Sequence, residues 1–199
     1  MTNVPQDPLS AALLPVVIHD LNNATQLLTT LNTLLGMPGG ERFLTERAGD
    51  LASVGEEVFE LGWLMAALAS SAGDDLLLAR RHETGLDVMV DYVRKSLRRQ
   101  QHDLAQAEAA LPRISNTHGA GWEAAWALGV FLWTAGLAAD EAAAWTWTRE
   151  DSHFKFETDL SLPAPDSLQI LLQSRTRDIS IEVTSECSRL CIPALFLEA

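Results

Sequence analysis

The stretch VVIHDLNNATQLL sets an imidazole, a carboxylate and three amides within about two helical turns of one another. On a helix, His19, Asn22, Asn23 and Gln26 follow one another at spacings of three, one and three, so they share a face. Leu21 and Leu28 fall on the inward side, which leaves a polar stripe built around a histidine on an otherwise apolar helix. Imidazole is the side chain suited to act as a nucleophile or base near neutral pH. Asp20 follows directly and is placed to accept a proton or to fix a ring tautomer; Asn23 stands one turn on. A lone histidine would read as part of a solvated face, and it is these neighbours that give it a chemical context.

Two helices must position the stripe. Leu14, Val17, Ile18, Leu21, Leu28, Leu31 and Leu35 form one apolar pattern. Leu51, Val54, Val58, Leu61, Met65 and Leu68 recur at spacings of three and four, which predicts a second helix from about Glu41 to Ser70. Between them lies GMPGG, residues 36–40. Gly36 is expected to take the left-handed, helix-ending conformation, Pro38 blocks continuation, and the last two glycines let the chain reverse. Pro15 removes a backbone donor, so the first helix begins near Leu14, or it starts after Asp7-Pro8 and bends just before His19. The result is an antiparallel hairpin whose two seams are too long to be buried within one chain. Pairing two hairpins into a four-helix bundle hides them, so a homodimer is expected.

SAGDD at 71–75 divides this hairpin, residues 1–73, from a second unit at 74–199 that reads as mixed helix and strand. A helix over 84–102 carries Leu86, Val90, Val93 and Leu97 inward, with Arg94, Lys95, Arg98 and Arg99 solvated. A very apolar helix covers 120–139, its Trp122, Trp126 and Trp133 forming a core stripe, and a shorter helix lies near 165–174. Strands are expected near 143–149, 153–160, 178–184 and 191–197, the last two pairing. The fold class is α+β.

The 199 residues suffice for a substantial core, and 47% hydrophobic with 21% charged residues excludes a disordered chain. A net charge of −13 argues against nucleic acid or an anionic membrane surface as the main partner, since both would be repelled. Cys187 and Cys191 are too few for a disulfide framework or a four-ligand zinc site, and with Ser188 and Arg189 read as turn residues between them they are expected to be small packed side chains. The opening MTNVPQDPLS has no basic segment leading into an apolar run, and no apolar stretch is long enough for a bilayer, so a cytoplasmic protein is expected. His82, His102, His118 and His153 lack matching carboxylate or cysteine spacing and read as ordinary surface or helix-end residues.

HDLNNATQLL resembles the His-(Asp/Glu)-Leu-Asn-Asn phosphoacceptor box on the dimerisation hairpin of one branch of the bacterial two-component histidine kinases. The second half resembles their ATP-binding domain: a helix, a strand–helix region, then a sheet ending in a hairpin. The resemblance covers most of the chain and is specific in the His box and the hairpin. In such kinases the helix corresponding to 120–139 carries a motif like Asn-Leu-Leu-x-Asn-Ala, whose later asparagine holds the magnesium bridging the ATP phosphates. Here VFLWTA places Val130 and Thr134 at those positions. An Asp-x-Gly-x-Gly motif should follow the strand at 153–160, but the residues are Asp159-Leu160-Ser161-Leu162-Pro163, and no glycine occurs from Leu137 to Ala199.

A matched acceptor box with a degenerate ATP site resembles the dimeric histidine phosphotransferases, which are built like a kinase core but take phosphate from a response regulator. That resemblance implies a relay from the phosphoaspartate of one receiver domain to His19, then to an aspartate of a second receiver. A neutral imidazole attacks phosphorus through a ring nitrogen. Asp20 would take a proton or hold the tautomer, and Asn23 would orient the ring, the phosphoryl group or a water. The receiver supplies the magnesium and its acidic pocket, so the chain itself needs no cofactor and no metal. Asn22 and Gln26 would contact the receiver beside His19, with a second contact through Arg94, Arg98 and Arg99. The alternatives are a non-catalytic regulator or scaffold that binds a receiver or kinase, and a divergent ATP-dependent histidine kinase.

Overall fold

The computed structural model describes residues 7–69, 81–82, 85–102, 120–139, 143–150 and 152–194. The boundary at 71–75, His118 and the end of the last expected strand, 195–197, lie outside them. The first helix, α1 (Pro8–Leu35), starts at Asp7, whose carboxylate accepts from the backbone N–H groups of Leu9 at 3.0 Å and Ser10 at 3.3 Å. Pro8 opens the first turn, where a missing N–H leaves no bond unmade. Of the two expected starts, the one after Asp7-Pro8 is therefore the one observed, and α1 continues through Pro15.

The turn after α1 departs from expectation. Gly36 is right-handed, with φ −72°, and it is Gly39 that takes the left-handed conformation, with φ +87°. Gly40 then opens α2 (Gly40–Glu46) so close to α1 that a Cβ there would lie 2.6 Å from the Leu35 carbonyl oxygen and 2.7 Å from that of Leu34. Only glycine fits against those last carbonyls. The single helix expected over 41–70 is interrupted at Arg47, and α3 spans Ala48–Ala69. Gly49 and Asp50, both weak helix formers, stand in the first turn of α3, where Asp50 complements the helix start and pairs with Arg47 at 2.9 Å.

The remaining elements are β1 (Arg81–His82), α4 (Gly85–Arg99), β2 (Ala120–Gly121), α5 (Trp122–Ala138), β3 (Trp145–Glu150), β4 (His153–Thr158), α6 (Pro165–Arg175), β5 (Ser180–Val183) and β6 (Ser188–Pro193). The short β1–β2 pair was not legible, because two-residue strands carry no period. The other four strands form an antiparallel sheet in the order β3-β4-β6-β5, with the expected pairing of the last two. The fold is α+β.

The last strand begins earlier than expected, so Ser188 and Arg189 are strand rather than turn, facing Thr158 and Glu157 across the ladder. The reason is polar. The buried Ser188 hydroxyl donates to the Leu160 carbonyl at 2.6 Å and accepts from the Leu162 N–H at 2.9 Å, while Arg189 pairs with Glu157 and Glu182 on the two flanking strands. Cys191 is buried on β6 and Cys187 is half-buried beside Thr184.

One buried cluster joins both halves of the chain. Leu9, Leu13, Val16 and Val17 of α1 and Leu61, Trp63 and Leu64 of α3 belong to the same core as Met89 of α4, Trp126 and Phe131 of α5, and Phe154, Phe156 and Leu190 of the sheet. Trp122, Trp126 and Trp133 are buried, as the stripe predicts. Where α1, α4 and α5 meet, the chain has Gly129: a Cβ there would lie 2.7 Å from Met89 Sδ and 2.8 Å from Leu9 Cδ2. No helix among the described residues is long and apolar enough to cross a membrane.

Candidate functional site

The polar stripe is helical throughout, and His19, Asn22, Asn23 and Gln26 are all exposed on α1. The Asn23 side-chain nitrogen lies 3.3 Å from His19 Nε2. An amide NH₂ only donates, so a hydrogen bond across this contact has Nε2 as its acceptor. Below the stripe, Thr25, Thr29, Thr30 and Thr33 each donate a hydroxyl hydrogen to the carbonyl one turn back, which keeps this threonine-rich stretch within the helical bonding pattern.

Asp20 points elsewhere. One residue further along a helix is a rotation of about 100°, and that rotation turns Asp20 toward α4. There its carboxylate accepts from the Tyr92 hydroxyl at 3.0 Å and from Lys95 Nζ at 3.1 Å. Lys95 also pairs with Asp91 at 3.0 Å and stands 4.3 Å over the Tyr92 ring. Burial holds the Tyr92 phenol well above its usual range, and the charge and hydrogen bond of Asp20 push it the same way. For Lys95 burial works downward, but the bonds to Asp91 and Asp20 outweigh it and the ammonium is held above its usual value. The carboxylate beside the histidine therefore ties α1 to α4. Hydrogen bonds involving a charged group are typically worth about 1.5–3 kcal/mol each, and the half-exposed lysine draws less than that from its share.

The basic residues of α4 divide. Arg94 and Lys95, expected in solvent, are half-buried, and Arg94 pairs with Asp91 at 2.5 Å. Arg98 and Arg99 are exposed in the last turn, where positive charge complements the carbonyl end of the helix. That end closes with His102 N–H on the Leu97 carbonyl at 3.0 Å and Gln101 N–H on the Arg98 carbonyl at 3.1 Å, with Gln101 left-handed at φ +66°.

A second polar cluster was not foreseen. The Asp7 oxygen not used in capping accepts from Trp126 Nε1 at 3.0 Å and from Arg175 at 2.5 Å. Arg175 also donates to the Ala67 and Leu68 carbonyls at the end of α3, at 3.1 and 2.9 Å, and lies 4.4 Å over the Trp126 ring. One guanidinium thus joins the start of α1, the end of α3, α5 and α6. Its only sequence signal was the Asp-Pro helix start, since a pairing of this kind has no local spacing.

Val130 is buried in the core, and the Thr134 hydroxyl donates to the Val130 carbonyl at 2.8 Å. Asp159 accepts from the Ala144 N–H at 2.7 Å, and its own N–H donates to the Ala144 carbonyl, so the residues after β4 are bound to neighbouring strand ends. Among the described residues no group of three or more histidine, cysteine, aspartate or glutamate side chains is arranged to hold a metal ion. His102 and His153 are half-buried, and His153 Nδ1 lies 2.8 Å from the Ser152 hydroxyl. No protein-family model matches the chain, and no curated protein matches it.

Proposed function

We propose that the chain is a histidine phosphotransferase that relays phosphoryl groups between response-regulator receiver domains through His19. The observation that carries this reading is the exposed His19 ring, held from one turn away by Asn23 on a helix face left open to a partner. In the forward step Nε2 attacks the phosphorus of a receiver's aspartyl phosphate. The N–P bond forms, the P–O bond breaks, the carboxylate stays on the receiver, and the ring sheds its Nδ1 proton to solvent. The Asn23 amide leaves Nε2 as the bond forms and is then placed to donate to a phosphoryl oxygen. Magnesium comes with the receiver's acidic pocket. Asn22 and Gln26 meet the receiver beside the ring, with Arg98 and Arg99 as a second contact and Arg94 supporting them from its pair with Asp91. Asp20 acts as a positioning residue that fixes α1 on α4.

The reading includes a homodimer. Leu14 and Ile18, each 47% exposed, continue through Leu28 and Leu35 as an apolar stripe beside the histidine face, and Phe59 and Met65 of α3 are exposed as well. Pairing two hairpins covers such a surface. A reading without ATP draws support from Val130 and Thr134, neither of which offers an amide oxygen to a metal.

The test is incubation of the chain with a radiolabelled phospho-receiver. Acid-labile label on the unaltered protein and none on His19→Ala is the expected result. Label on His19→Ala removes the acceptor assignment, and label from ATP alone restores the kinase alternative.

A further inference from the structure

We draw no further inference here: the strongest candidate, the outer edge of the main sheet at β3, which among the described residues pairs with β4 alone, carries nothing because nothing in the structure shows what covers it.

Discussion

The Asp7 carboxylate meets the Arg175 guanidinium at 2.5 Å across 168 residues of chain, and both side chains are nearly buried, at 14% and 12% exposure. Asp7 also caps α1, while Arg175 satisfies two carbonyls at the end of α3. Taking two charges out of water is costly, and removing one partner leaves the other uncompensated.

Arg175→Met should therefore destabilise the protein by about 3–5 kcal/mol. Urea denaturation followed by tryptophan fluorescence measures it. Loss of less than about 1 kcal/mol would mean that the pair is no more than a surface contact.

Tyr92 is the chain's single tyrosine, which makes its ionisation directly readable at 295 nm. Its phenol is held above the ordinary value near ~10 by burial first and by Asp20 second. The folded state keeps this proton where the unfolded chain releases it, so the stabilisation is complete below about pH 10 and is lost as pH rises further. The folded protein should show no tyrosinate absorbance near pH 10, and Asp20→Asn should bring ionisation to lower pH. Ionisation with an ordinary midpoint in the unaltered protein would contradict the Asp20–Tyr92 contact.

Ile18→Glu places a charge in the centre of the exposed apolar stripe of α1 without touching the buried core. If two chains pair through this face, sedimentation should show the unaltered protein as a dimer and the variant as a folded monomer. A monomer in both cases removes the bundle from the proposed function.

Gln101 occupies the left-handed position after α4, where a side chain costs about 1–2 kcal/mol relative to glycine. Gln101→Gly should raise stability by about 1 kcal/mol, visible as a higher Tm. An unchanged or lower Tm would show that the Gln101 side chain contributes as much as the conformation costs.

The helices and strands that carry a sustained period were legible in the sequence: α1, α4, α5 and α6, and three of the four strands of the main sheet, lie where apolar spacing and turn residues put them. What was not legible depends on partners distant in sequence. Gly40 is required by carbonyls of the preceding helix, Ser188 is recruited into a strand by Leu160 and Leu162, and Asp20 is turned from its neighbour His19 toward Tyr92. Within the candidate site, the shared exposed face of His19, Asn22, Asn23 and Gln26 followed from spacing alone. The half-burial of Arg94 and Lys95 did not: Lys95 meets Asp20 of another helix, which no local spacing announces, while Arg94 turns to Asp91 on its own helix.

The core that passes without a seam from Leu13 through Met89 to Phe156 has a consequence for how this molecule opens. Amide protons of the histidine helix around Val16 and Val17 share their shelter with those of α5 and the sheet. They should exchange with solvent in the same rare event, at the free energy of global unfolding rather than of local fraying. The first turns of the helix bearing His19 thus belong to the core and should open only with it.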